Sequence, residues 1–530
     1  MRILVIQLGK PEEVFTTLEA ISLSSLYGDR KNSFTMLVRN EFLNQYPIAS
    51  NLHLEIISIG SADIVQAQKK LHNRDFDVSD FSSLNNHFLK PDIVFNLNVT
   101  QASIYFEKAS LAGLRVGPQL SVKNKLVTYD EWAQSLLANV ETNEAFGLSR
   151  IEIYLLIFER VAIHLQLKSD FRTILTTDYI EKLKNKNDTS LLFQSLNNNQ
   201  SLTFSQKLLV DTIKQLSPSI VTIDKRELMT RELENYCMAK AIKIYFLESI
   251  EKEKFHSYIE TVDYFIGAIP EYSSLLSLYH VPSLFFSENG WVDVYKNRTY
   301  SNYHFFLSMD GWNQFKEEDF LLSELATIIE DFKNLELLEK KSQAALYAIQ
   351  GLSYQASQFT VTASKFVSAQ SALAQINRVL WSYYFFQTDF TIANDLETEN
   401  DKIQMEKALQ LTDFYIELYE HLLHFSVKSN ENAALNAQTP QEAIAFKNKI
   451  NEIYVHIQKL NNQNLILAST SSFFRAKLSA QPDHLKPLDV AQSLILNIQE
   501  ALSCYKIIKE LITQTIQAYQ LRLKGITVDS

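Results

Sequence analysis

Met1-Arg-Ile-Leu-Val-Ile-Gln-Leu-Gly9-Lys-Pro-Glu-Glu13-Val14 opens the chain with an apolar run, a glycine and a proline, followed at once by two carboxylates. The run predicts a strand over Arg2–Leu8, and Pro11 takes a favoured first-turn position of a helix running to about Leu26. A strand that turns directly into a helix is the first half of a βαβ unit. Working outward, short β-branched runs at Phe34–Val38, Leu54–Ile59 and Asp92–Leu97 alternate with amphipathic segments, so residues 1–185 read as one Rossmann-like domain. The polar, Asn-rich stretch Glu181–Gln200 reads as a boundary. Strands at Ser219–Ile223, Ile242–Phe246, Tyr264–Ile266 and Ser283–Phe286 then predict a second Rossmann-like domain over 200–330.

Beyond that the style changes. Leu352–Lys524 contains no glycine, and polar breaks at Gln387–Asn400, Ser429–Gln441 and Ala480–Leu488 divide it into about four helices, at 335–386, 400–427, 441–478 and 488–524. The expected fold class is therefore α/β with two Rossmann-like domains, followed by an all-α bundle over 335–530. Its helical faces are suited to a protein partner or a second copy of the chain.

A chain of 530 residues has room for several cores, and 46% hydrophobic with 21% charged residues is the composition of a folded chain. The net charge of −11 excludes nonspecific nucleic-acid binding, which depends on neutralising phosphates with Lys and Arg. Cys237 and Cys504 are too few for a disulfide framework or a cysteine zinc site, and no stretch is apolar enough to span a bilayer. The expected setting is the cytoplasm, with peripheral membrane association at most.

No G-x-G-x-x-G follows the first strand and no G-K-[ST] occurs, so dinucleotide and P-loop chemistry lack their phosphate cradle. His421 and His424, at i and i+3 in an apolar stretch, read as packing, and neither metal nor cofactor is expected. What remains is the turn after the first strand. Glu12 and Glu13 there complement the positive end of the helix dipole. At the C-terminal edge of a parallel sheet, where open α/β folds bind ligands, a carboxylate can also deprotonate a hydroxyl as general base. The stretch Trp291–Trp312 interleaves Lys296 and Arg298 with Tyr295, Tyr300, Tyr303, His304, Phe305 and Phe306; it reads first as packing on the second sheet, then as a sugar or partner groove.

The opening segment, with Val14 and Thr16-Thr17, resembles the start of the bacterial glycosyltransferase family 9, the lipopolysaccharide heptosyltransferases. In ungapped register Glu12 falls on the family's Gly and Glu13 on its proposed catalytic Asp. Lys90-Pro-Asp-Ile-Val-Phe-Asn-Leu97 through Leu114-Arg-Val-Gly117 is similar to the stretch closing the acceptor domain, and Val262-Asp-Tyr-Phe-Ile-Gly267 through Val281-Pro-Ser-Leu-Phe-Phe286 resembles the donor segment. The resemblance implies two domains in a GT-B arrangement and metal-independent transfer of a sugar from a nucleotide-sugar donor to a glycan, lipid-linked glycan or protein hydroxyl. It implies Glu13 as base, acceptor contacts at Gly9, Lys10, Glu12 and Asn98, and donor contacts at Lys225, Arg226, Pro270, Glu271, Tyr272, Ser273 and Ser274. Where the family shows Asp-Thr-Gly-Pro-Met-His, this chain has Ile269-Pro-Glu-Tyr-Ser-Ser274. Glu271 would place a carboxylate near the donor phosphates, at a cost of about 4 kcal/mol per like-charge pair at about 4 Å and an effective dielectric near 20. The alternative expectation is thus a degenerate transferase retained as a binding or assembly scaffold.

Overall fold

The computed structural model describes residues 1–28, 32–45, 54–79, 81, 84, 88, 90–121, 126–128, 131–142, 147–166, 189–196, 202–251, 254–279, 281–287, 304–308, 329, 359–362, 366–386, 395–396, 398–434, 440–479 and 487–524. The chain starts as β1 (Arg2–Ile6), α1 (Pro11–Leu23), α2 (Ser25–Gly28), β2 (Ser33–Arg39), α3 (Asn40–Gln45), β3 (Leu54–Ile59), α4 (Ser61–Asn73), β4 (Ile93–Asn96), α5 (Gln101–Ala109) and β5 (Leu114–Val116). These strands form a parallel five-stranded sheet of order β3-β2-β1-β4-β5. Ile3, Leu4, Val5 and Ile6 are all buried, as are Ile93, Val94 and Phe95 beside them in register. Strands covered on both faces are apolar throughout, which is why the run at the start of the chain does not alternate. A short hairpin, β6 (Gln119–Leu120) and β7 (Leu126–Val127), leads to α6 (Glu131–Glu141) and α7 (Arg150–His164).

The second sheet contains seven parallel strands. Its elements are β8 (Ser190–Gln194), α8 (Leu202–Leu216), β9 (Ile220–Ile223), α9 (Arg231–Ala239), β10 (Lys243–Phe246), α10 (Phe255–Thr261), β11 (Tyr264–Ala268), α11 (Ser273–Leu278), β12 (Ser283–Ser287), β13 (His304–Ser308) and β14 (Phe359–Thr362), in sheet order β10-β9-β8-β11-β12-β13-β14. On one face Leu191, Phe193, Val221, Ile223, Ile266, Leu284 and Phe286 pack with Phe204, Leu208, Leu209 and Ile213 of α8. Two elements here, β8 and β14, differ from the sequence reading. The Asn-rich stretch taken as a boundary contains β8, an interior strand between β9 and β11: Leu191-Leu-Phe193 is fully buried although its surroundings are polar. β13 lies in the aromatic stretch, where His304 is fully buried edge-on to Phe285 with ring centroids 5.0 Å apart, as packing on the sheet requires; residues 291–303 lie outside the described residues. β14 adds a strand inside the segment expected to be the first long helix.

The C-terminal region contains five long helices, α12 (Ala369–Phe386), α13 (Glu399–Ala434), α14 (Pro440–Asn461), α15 (Leu465–Ser479) and α16 (Pro487–Leu523), among the described residues. The helix expected over 441–478 is two, because the Asn464 carboxamide oxygen accepts from the backbone N–H groups of Ile466 and Leu467 at 3.0 and 3.1 Å and caps a new helix. His421 and His424 are exposed on α13 rather than packed. Trp381 is fully buried in an aromatic cluster with Tyr384, Phe385 and Phe473. α15 packs on α6, and the seam carries a polar node: Lys477 Nζ donates to Glu500 Oε2 at 2.7 Å and the Tyr384 hydroxyl at 2.9 Å, and lies 3.0 Å from Glu131 Oε1.

By contact density the chain divides into two compact units, Met1–Ile6 with Val65–Ser149 and Phe366–Ser530, and Gln7–Ile64 with Arg150–Lys365. Among the described residues no helix is long and apolar enough to cross a membrane.

Candidate functional site

The second unit holds the turn between β1 and α1. Gln7 is fully buried, and its backbone N–H donates to the Leu37 carbonyl of β2 at 2.9 Å. Its side chain organises the turn. Oε1 accepts from the Gly9 N–H at 3.1 Å, while Nε2 donates to Thr17 Oγ1 at 2.9 Å and to the Tyr154 hydroxyl at 3.1 Å. Thr17 Oγ1 in turn donates to the Glu13 carbonyl at 2.8 Å. Burial pushes the Tyr154 phenol well above its ordinary range, the Glu13 charge adds to the rise and Arg150 opposes it, so Tyr154 is a neutral hydrogen-bonding post at every physiological pH.

α1 starts with Pro11 at its first position, and the Lys10 side chain before it makes no capping hydrogen bond. Its first-turn acids, Glu12 and Glu13, lie at the positive end of the helix. They differ in surroundings: Glu12 makes a loose pair with the exposed Lys10 at 3.9 Å, whereas the Glu13 carboxylate folds back over Gly9 and meets Arg150 Nη2 of α7 at 3.6 Å. A Cβ at Gly9 would meet that carboxylate, so glycine here leaves the space the Glu13 side chain occupies and a larger residue would displace it. Glu13 and Arg150 retain 20% and 15% exposure, enough to be reached from solvent and little enough to be held in place.

One turn further along α1, Thr16 Oγ1 lies 3.3 Å from Ser274 Oγ, and Ser277 Oγ donates to the buried Glu19 carboxylate. The turn of predicted acceptor contacts and the α11 segment of predicted donor contacts are thus brought side by side. Ser273 and Ser274 are buried, Pro270 is buried, and Glu271 is exposed. The Tyr272 hydroxyl donates to Gln194 Oε1 at the end of β8 at 3.2 Å, with its ring edge-on to Phe255. Gly267, at φ +151, lets β11 approach the Gln194 carbonyl more closely than a side chain would allow. At the neighbouring strand ends Asp224 accepts from Ser195 N and Oγ at 3.0 and 2.7 Å. Lys225 and Arg226 are exposed after β9, with Arg226 paired to Glu248 and stacked 4.9 Å over Phe246.

Asn98 belongs to the other unit. It follows β4 and is buried: its N–H donates to Asn96 Oδ1 at 3.1 Å and its carbonyl accepts from Ser103 Oγ at 3.1 Å. Asn96 Nδ2 reaches the Pro118 carbonyl at 2.7 Å. Among the described residues no cluster of three or more His, Cys, Asp or Glu could hold a metal ion.

Gln7, Tyr154 and Arg150 are absent from the sequence reading. Arg150 lies more than a hundred residues from Glu13, and its one local signal is that it places a cation at the first residue of a helix, against the dipole.

The fold and this turn define an α/β protein with two parallel sheets and a held carboxylate just beyond the C-terminal end of its first strand. No protein-family model matches the chain, and no curated protein matches it. It is similar in fold to solved structures. An E. coli heptosyltransferase WaaC with ADP is 11% identical, covering 58% of this chain and 92% of that one at a TM-score of 0.37. A glycosyl transferase family 9 protein from Veillonella parvula is 12% identical, covering 64% and 97% at 0.39. The E. coli ADP-heptose LPS heptosyltransferase II is 11% identical, covering 64% and 100% at 0.37.

Proposed function

We propose that this chain transfers a sugar from a nucleotide-sugar donor to a hydroxyl acceptor, with Glu13 as general base and without a metal ion. The observation that carries this reading is the Glu13 carboxylate itself, held over Gly9 at the C-terminal end of the first strand by Arg150, where open α/β sheets take their ligands. In the reaction the acceptor O–H proton passes to Glu13, the oxygen forms a bond to the anomeric carbon, and the carbon–oxygen bond to the nucleoside diphosphate breaks with its electron pair on the leaving phosphate. The resemblance of the turn to glycosyltransferase family 9 supports the same assignment. In a donor and acceptor panel, Glu13→Gln is expected to lose at least about 99% of turnover, since general-base contributions are commonly a hundredfold or more. A variant that transfers sugar at the wild-type rate refutes the role of Glu13.

A second reading, a catalytically silent scaffold, is favoured by one observation: the Ser274 and Ser277 hydroxyls of α11 are engaged by α1, and Tyr272 by Gln194. Thermal shift with nucleotides and nucleotide sugars separates the two readings, because a working donor site stabilises the fold by mass action. No shift with the wild-type chain and a shift restored by Glu271→Gly would establish the scaffold.

A further inference from the structure

Glutamate places its carboxylate at the end of three rotatable bonds, so a base built on it needs an external device to fix its direction. Two groups at this turn supply one. Gly9 leaves the space that the Glu13 carboxylate enters, and Arg150 Nη2 stands 3.6 Å from Oε1. Arg150 is the first residue of α7, where the exposed N–H groups of the helix disfavour a cation. Its location breaks a local rule and is offset through space by the Glu13 carboxylate, the pattern expected where a site has been given priority over helix stability. The base of this arrangement is firm: the hydroxyl of Tyr154, four residues on from Arg150 and one turn along the same helix, accepts from the buried Gln7 amide, and Gln7 holds both the Gly9 N–H and Thr17. α7 and the β1–α1 turn are therefore fastened together directly beneath the Arg150–Glu13 pair.

From this geometry we propose that Arg150 is the positioning residue of the Glu13 carboxylate, acting on the reaction through Glu13 and not on the sugar. This rests on the reading of Glu13 as the base. The guanidinium, 3.6 Å from Oε1, sets the direction of the carboxylate at the turn and balances its charge until the proton arrives.

The test uses the full chain with Arg150→Met, Arg150→Lys, Glu13→Gln and the Glu13→Gln/Arg150→Met pair. Thermal unfolding gives the first readout, which needs no substrate. The fall in melting temperature caused by Arg150→Met is expected to shrink by about half or more in the Glu13→Gln background, because contacting residues are not additive; equal falls in both backgrounds overturn the proposal. Transfer kinetics give the second. Arg150→Met is expected to lower kcat at least about tenfold with donor KM within about twofold, and Arg150→Lys to recover part of the loss. A Met variant as fast as wild type, or a loss confined to KM, overturns the proposal. Should Arg150→Met not fold, the Lys variant carries the same comparison. Absence of turnover by the wild-type chain on every donor removes the transfer reading and this proposal with it, whereas an active wild type with an equally active Arg150→Met overturns the proposal alone.

Discussion

Replacing Lys477 by Met tests whether the helical region is an integral part of the unit that contains α6. The substitution keeps most of the apolar stem and removes the ammonium, so the effect reports the polar node rather than packing. Three acceptors surround Nζ: Glu500 at 2.7 Å, the Tyr384 hydroxyl at 2.9 Å and Glu131 at 3.0 Å. Glu500 and Glu131 are 43% and 52% exposed, so each ion pair is screened and contributes about 1 kcal/mol at most. The Tyr384 bond is half-buried and contributes about 1 kcal/mol, with a further fraction from the cation held 5.6 Å over its ring. The expected loss is about 2–3 kcal/mol, or roughly 5–10 °C in the melting temperature of a unit of this size. Burial pulls the Lys477 ammonium down, but its bonds to Glu500 and Tyr384 outweigh burial and hold it above its ordinary 10.5. A raised lysine contributes stability that is complete below 10.5 and is lost only as pH rises beyond it, so the difference between wild type and variant should be constant across neutral pH. Urea unfolding followed by tryptophan fluorescence and by far-ultraviolet circular dichroism measures both quantities. A variant within about 0.5 kcal/mol of wild type, or a difference that changes between about pH 6 and 8, refutes the reasoning.

Gly117→Ala should cost about 2 kcal/mol or more in the urea midpoint, because φ is +102° there and a Cβ would meet the Asn96 carbonyl. Glu107 is buried beside Arg115; burial raises its carboxyl above the usual 4.5 while Arg115 opposes the rise. A raised acid contributes stability that is present below 4.5 and lost as pH climbs through the raised value, so Glu107→Gln should show a flatter dependence of stability on pH between about 4 and 7 than wild type.

Much of the fold was legible because it is local. A strand of four buried residues, a glycine and a first-turn proline specify β1 and α1 within the residues themselves, and the same holds for β2, β3 and β9 to β12. β8 was hidden because only Leu191, Leu192 and Phe193 carry its signal, and polar flanks outweigh three residues in any window; its interior place between β9 and β11 is a property of the sheet. The break between α14 and α15 lies in Asn464, whose capping role competes with a continuing apolar period. Of the candidate site, the carboxylate at Glu13 was readable and its partner was not. No period or spacing links residue 13 to residue 150, and the contact exists only once α1 and α7 have packed. Likewise Ser273 and Ser274 read as donor contacts, while the packing of α11 on α1 buries both side chains.

The joint between α1 and α11 also limits how this protein can be rebuilt. Thr16 with Ser274 and Glu19 with Ser277 are two rungs of one ladder, and Glu19 is 1% exposed. Grafting a glycine-rich, phosphate-binding turn onto residues 269–274 would move α11 and withdraw a hydroxyl from a buried carboxylate. The graft would therefore have to be made together with a smaller, uncharged residue at position 19. In this chain the two sides of the candidate site can be remodelled only as a pair, and a library that varies one side alone samples mostly proteins that fail to fold.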